Sequence, residues 1–320
     1  MSAQQRTESI TTILPSYNEA ENLPEVIDEL TGNLDELFTT WSILIVDDGS
    51  TDNTREVVAA LSQKDSRISI LSFRRNRGKS AALQAAFDVV DSDLVLLMDA
   101  DGQDDPKALP SLLEQIDNGF DLVTGQRETR NDRTVKRTTS KVYNYATRKA
   151  TGVDGKDFNS GYKLMRGDVM ENISMYGELH RYIPILASWS GFKVTEVPVN
   201  HRERAHGTTK FGINRFWRGM LDLFTVKFLT TYDRRPFHLV GAAGIVLVAI
   251  GGALLAWMLA LLIGGVGVGN RPALLAGVMF VVVGVQLICV GLIAELIVHL
   301  DMQRRLEDQR MIRGARSLDV

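Results

Sequence analysis

Leu94-Val95-Leu96-Leu97-Met98-Asp99-Ala100-Asp101-Gly102-Gln103 is an apolar run that stops abruptly in two carboxylates one residue apart. An unbroken apolar run of strand length predicts a strand covered on both faces, as in parallel sheets between helix layers. Asp99 and Asp101 then fall at the strand's carboxyl end, where open α/β sheets bind their ligands. Residues i and i+2 of an extended chain point the same way. Two carboxylates so placed repel one another, which suggests a shared cation, a hard one such as Mg²⁺ or Mn²⁺. A solvated Asp-Ala-Asp-Gly turn accounts for the spacing equally well, because Asp and Gly are ordinary turn residues. The rest of the chain tips the balance.

Upstream, residues 10–14, 41–46 and 68–73 read as strands. A helix is expected over 22–38, where Leu23, Val26, Ile27, Leu30, Leu34 and Leu37 recur at helical spacing. A second follows the capping residues Thr51-Asp52 and carries Val57, Val58 and Leu61 on one face; a third runs to Val90. Downstream, Pro106 suits the first turn of a helix towards Ile116, and 121–124 reads as a fifth strand. This alternation implies right-handed crossovers and a parallel sheet. The loops Pro15-Ser16-Tyr17-Asn18-Glu19, Asp47-Asp48-Gly49-Ser50, Arg74 to Lys79 and Asp99 to Gln103 therefore converge on one edge. Beyond it, residues 131–151 are basic and helical, 157–165 form a polar loop entering an apolar stretch, and 194–199 alternate like a strand.

A formal charge of −3 over 320 residues gives no global argument for nucleic-acid binding. The single cysteine, Cys289, excludes an internal disulfide framework, and the polar start, residues 1–9, lacks the apolar core of a signal peptide. The chain is partitioned near Arg235. Residues 239–263 and 273–294 contain no charged side chain, and each exceeds the ~20 residues that cross a bilayer as a helix. The link 264–272 is too short for a domain, so the two runs form a hairpin. Arg234 and Arg235 precede it and Arg304, Arg305, Arg310, Arg313 and Arg316 follow, whereas the link has only Arg271, which places both termini in the cytoplasm. Residues 212–235 interleave aromatic and basic side chains, as an interfacial helix does. Glu295, near the inner end of the second run, reads as solvated or paired with an arginine. Gly241, Gly244, Gly251 and Gly252 would permit close helix approach, hence a homo-oligomer.

The four segments Pro15 to Glu19, Asp47 to Ser50, Asp99-Ala100-Asp101 and Arg204-Ala205-His206-Gly207-Thr208-Thr209-Lys210-Phe211, in this order and followed by a hairpin, resemble the family-2 glycosyltransferases. The nearest branch is that of the polyprenyl-phosphate sugar transferases, which includes dolichol-phosphate mannose synthase. The resemblance implies an α/β domain of the GT-A type (Rossmann-like, mostly parallel sheet) over 1–211, interfacial helices over 212–235, two transmembrane helices within 236–300 (about 237–263 and 273–298) and a basic tail over 301–320. It implies inverting transfer of one sugar from a UDP- or GDP-sugar to a polyprenyl phosphate, with Mg²⁺ or Mn²⁺. By motif, Pro15, Tyr17, Glu19, Asp47 and Asp48 would contact the base and ribose, and Asp99, Asp101 and Gln103 would surround the metal and diphosphate. Lys79 would assist there or stand solvated.

A polyprenyl phosphate carries roughly 1.5 to 2 negative charges, by analogy with other phosphate monoesters. It presents a nucleophile already ionised, and needs capture and alignment more than a strong base. Arg204 and Lys210 fit the family's Arg-x-x-Gly-x-Ser-Lys pattern, with Thr209 in place of the serine; Arg202 comes second. Arg127 and Arg137 would hold donor or lipid phosphate, or serve structure. Asp157 would orient the nucleophile, act as base, or be a surface aspartate. His180, His201 and His206 lack metal-ligand spacing. Two other readings are a processive polysaccharide synthase, for which two spans offer little channel, and a catalytically silent sugar-nucleotide sensor or scaffold.

Overall fold

The computed structural model describes residues 5–127, 157, 160–175, 177–202, 237–269 and 271–316. Arg137, Arg204 and Lys210, the basic segment 131–151 and the aromatic segment 212–235 lie outside these residues. Two compact units divide the chain, Met1–Val226 and Lys227–Val320.

The first unit is built on seven strands: β1 (Ile10–Ser16), β2 (Trp41–Asp47), β3 (Ile68–Ser72), β4 (Leu94–Leu97), β5 (Leu122–Arg127), β6 (Lys163–Arg166) and β7 (Val194–Val199). They form one sheet in the order β3-β2-β1-β4-β6-β5-β7. All are mutually parallel except β6, which lies antiparallel between β4 and β5. The parallel expectation from strand–helix alternation therefore needs this amendment: the stretch read as a loop entering an apolar segment inserts as a reversed strand. β6 is only four residues long, too short to announce a period of its own.

Among the described residues, six helices cover the sheet: α1 (Leu23–Leu37), α2 (Thr54–Lys64), α3 (Lys79–Phe87), α4 (Leu109–Asp117), α5 (Gly167–Glu171) and α6 (Ile183–Trp189). Alternate residues of each central strand face opposite layers. Leu94 and Leu96 join Leu30, Leu34, Val58 and Leu112 of α1, α2 and α4. Val95 and Leu97 join Leu83, Phe87, Val169 and Ile183 of α3, α5 and α6. Both faces of β4 are thus dry, which is why it is apolar at every position. Helix α4 follows a short turn, Pro106–Ala108, capped by Asp105, whose side chain accepts from Lys107 N.

In the second unit, α7 (Phe237–Ile263) and α8 (Pro272–Arg316) pack as a hairpin. Each has a stretch long and apolar enough to cross a membrane, Phe237–Ile263 and Pro272–Val298. Their large apolar side chains, Ile245, Trp257, Leu275 and Ile297 among them, are exposed, as lipid-facing residues are.

Candidate active site

The carboxyl ends of the six parallel strands share one edge of the sheet. The strand order reverses between β1 and β4, the kind of switch point at which open α/β sheets bind their ligands. Pro15, expected in the loop, is still within β1 and pairs with Val46 of β2; the loop that follows carries Tyr17 and Glu19. Asn18 adopts φ 58° there, and its side-chain oxygen accepts from Thr51 N at 2.8 Å, tying this loop to the one after β2. Glu19 accepts from Asn22 Nδ2 at 2.6 Å.

At the end of β2, Asp47 is fully buried and binds Arg55 Nε at 2.6 Å and Ser50 N at 2.8 Å. Burial pushes its carboxyl up, but the Ser50 and Arg55 donors outweigh that and hold it below the usual carboxylate range. Asp48 accepts from Arg77 N at 2.6 Å and Gly78 N at 2.9 Å, and so fixes the turn that opens α3. A side chain at Gly49 would stand 2.7 Å from Asn76 N, so only glycine lets these two loops close up.

The turn held by Asp48 delivers Lys79 to Asp99, with which it forms an ion pair. Asp99 N donates to Asp104 Oδ2 at 3.3 Å, and Asp101 Oδ1 accepts from Gln103 N at 3.2 Å. Partial withdrawal from water pushes Asp99 up; Lys79, helped by Lys163 and Arg127, overrides this and holds it low. On the other flank Arg127, at the end of β5, grips Asp157 through Nε at 2.7 Å and Nη2 at 3.1 Å. Asp157 N in turn donates to Glu196 Oε1 at 3.2 Å. Arg202 pairs with Glu29 and Asp105, at 2.7 and 2.9 Å.

Three participants escaped the sequence. Lys163 opens β6, is 2% exposed, and donates from Nζ to Ser160 O. Burial, with Lys79 close by, pushes its ammonium down to about 8, against the pull of Asp99 and Asp157. His180 Nδ1 lies 2.9 Å from Ser80 Oγ in a hydrogen bond, and Ser80 Oγ also accepts from His180 N at 3.1 Å. Burial and the neighbouring Lys79 push this imidazole down to about 2, leaving it neutral. Asp104, 5% exposed, supports Asp99 from below. A lone lysine inside Tyr162-Lys163-Leu164-Met165 was the available signal for the first; nothing local marked the others.

Asp99 and Asp101 offer hard oxygen donors, and among the described residues no group of three or more His, Cys, Asp or Glu side chains forms a metal cage. That donor set fits Mg²⁺ or Mn²⁺, which bind through one or two carboxylates completed by substrate phosphates and water. The nearby cations Lys79, Lys163 and Arg127 suit an anionic ligand such as a diphosphate.

Residues 11–174 match the model of glycosyl transferase family 2. The chain belongs to that family. As a family-2 glycosyltransferase it is 35% identical over 292 residues to the undecaprenyl-phosphate 4-deoxy-4-formamido-L-arabinose transferase of Salmonella enteritidis PT4, covering 90% of this chain and 88% of that one. The enzyme of the same name from Salmonella choleraesuis is equally similar. Among solved structures, glucosyl-3-phosphoglycerate synthase from Mycobacterium tuberculosis, crystallised with Mn²⁺ and UDP-glucose, superposes with a TM-score of 0.54 at 20% identity, over 69% of this chain and 79% of that one. Mannosyl-3-phosphoglycerate synthase from Rubrobacter xylanophilus gives 0.54 at 18% identity, over 69% and 74%. These likenesses establish the fold, a mostly parallel mixed sheet of the GT-A type.

Proposed function

We propose that this glycosyltransferase moves one sugar from a nucleotide-diphospho-sugar to a polyprenyl phosphate, with inversion at the anomeric carbon. An ionised lipid phosphate oxygen attacks that carbon, the bond to the diphosphate breaks, and a nucleoside diphosphate leaves. The observation that carries the reading is the pairing of Asp99 with Lys79 beside Asp101 at the switch point, in a chain that also has two membrane-length helices. The relatives that match 90% of the chain, named for transfer to undecaprenyl phosphate, support the acceptor class.

A divalent ion at Asp99 and Asp101 would supply charge neutralisation for the departing diphosphate. Lys79 adds a point charge on the same side, and Asp48 holds the turn that presents it. Pro15, Tyr17, Glu19, Asp47 and Asp48 frame the base and ribose. Arg127, Arg137, Arg204 and Lys210 are the proposed phosphate ligands, and Asp157 orients the nucleophile through its pairing with Arg127. The helices α7 and α8 anchor the enzyme as a two-span hairpin with both termini cytoplasmic.

A panel of UDP- and GDP-sugars assayed with undecaprenyl phosphate and Mg²⁺ or Mn²⁺ tests this. Nucleoside diphosphate release is expected only with the lipid and the metal, and Asp101→Ala is expected to abolish it in a protein that still folds and inserts. Release with a growing glycan, or ligand binding without turnover by the wild type, would overturn the reading.

A further inference from the structure

Where the chain leaves β7 it does not run free. His201 forms an antiparallel bridge with Asp104. Arg202 N donates to Gln103 O at 2.8 Å, and Gln103 Nε2 donates back to Arg202 O at 3.3 Å. His201 Nδ1 lies 3.5 Å from Asp104 Oδ1. The guanidinium of Arg202 reaches in two directions. Nη1 straddles both carboxylate oxygens of Glu29 on α1, at 2.7 and 3.0 Å, and Nη2 binds Asp105 Oδ1 at 2.9 Å. A fork of five donors can brace two acids at once; a lysine ammonium has no such geometry.

We propose that Arg202 and Glu29 are positioning residues: together they lock the Asp99–Asp105 loop to the segment that follows β7. This rests on the proposed function, because residues 204 and 210, two places further and beyond, are the acceptor ligands proposed there. The role follows from the connections. Gln103 and Asp104 belong to the loop that carries Asp99 and Asp101, and Asp104 accepts from Asp99 N. Residues 201 and 202 are the last before the acceptor segment. Fixing one strip of backbone against the other sets the distance between the donor's diphosphate and the incoming phosphate. Glu29 ties both to α1, whose Val26, Leu30 and Leu34 are buried in the core, so the lock is referred to the rigid body of the sheet. The carboxylates of Glu29 and Asp105 already neutralise Arg202, which leaves it a weaker ligand for lipid phosphate than its place beside the motif suggests.

The full-length protein in lipid nanodiscs, wild type, Arg202→Gln, Glu29→Gln and the double variant, provides the test. Amide hydrogen exchange at Arg202 reads the lock directly and needs no turnover. Exchange there is expected to quicken at least tenfold in both single variants. With undecaprenyl phosphate titrated, kcat should fall about ten- to a hundredfold in each, the scale of a small misplacement of reacting groups. Acceptor KM should stay within about twofold, and the double variant should be no worse than the poorer single one, as partners in one contact behave. Wild-type exchange and kcat in Glu29→Gln would overturn the proposal. A tenfold rise in acceptor KM confined to Arg202→Gln would also overturn it, and make Arg202 a phosphate ligand. If the wild type does not use the lipid at all, the proposed function falls while the exchange measurement still decides the lock.

Discussion

Gly161 leaves no room for a side chain beside Asp99: a Cβ added there would stand 2.6 Å from Asp99 Cγ. The backbone of the turn before β6 thus forms one wall of the carboxylate's seat. Gly161→Ala is expected to rotate Asp99 out of place, at a stability cost of about 1–3 kcal/mol for overpacking and about a tenfold or greater loss of kcat/KM. Thermal unfolding and steady-state kinetics on the same preparation would check both, and an unchanged kcat/KM would contradict the role given to Asp99. At this scale the sequence was partly legible. The carboxylates after β4 announced themselves because an apolar strand ends in them, and strand ends are where such sheets bind. The placement of Gly161, Lys163, Asp104 and His180 around the site was hidden. Gly161 faces Asp99, His180 faces Ser80 and Asp104 bridges His201, all remote in sequence, and the pairing Leu97↔Lys163 brings β6 alongside the Asp99 loop.

Elements with a full period were the readable ones. Helix α1 was expected over 22–38 and spans Leu23–Leu37, because five apolar positions at helical spacing all reach the core. Helix α3 stops at Phe87, short of the expected Val90, where Val89 N and Val90 N turn back to Ala86 O. The second unit departs from expectation in one detail, at Glu295, which was expected to be solvated or paired with an arginine. Glu295 accepts from Phe237 N at 3.2 Å, so it caps the start of α7, where a carboxylate meets both unpaired N–H groups and the positive end of the helix dipole. Two of the glycines expected to permit close helix approach do so within the hairpin: a Cβ at Gly244 would lie 2.6 Å from Gly284 O, and one at Gly251 would lie 2.7 Å from Gly277 O. Gly284→Val should therefore prise α7 from α8, lowering stability by about 1–3 kcal/mol, whereas Gly252→Val, with nothing within 4 Å, should be near neutral. Thermal denaturation in detergent distinguishes them; equal melting temperatures would refute the intramolecular seam.

For the molecule as a whole, the strongest sequence signal was the break between an alternating α/β pattern and two uncharged runs. Helices of 27 residues, Phe237–Ile263 and Pro272–Val298, occupy those runs. The proposed topology has a direct check. Reporters fused after residue 320 and inserted within 265–270 should lie on opposite faces of the bilayer, and same-face reporters would refute the hairpin. The sheet carries another whole-molecule lesson. β5 ends at Arg127 and β6 begins at Lys163 on the same rim, and Asp157, just before β6, is clasped by Arg127. Two residues thirty apart along the chain are thus held together at the rim, with the strand register set on either side of them. Such a clasp fastens the carboxyl end of β5 to the approach to β6, so that neither strand can slip in register without straining the other: the rim is riveted as well as hydrogen-bonded.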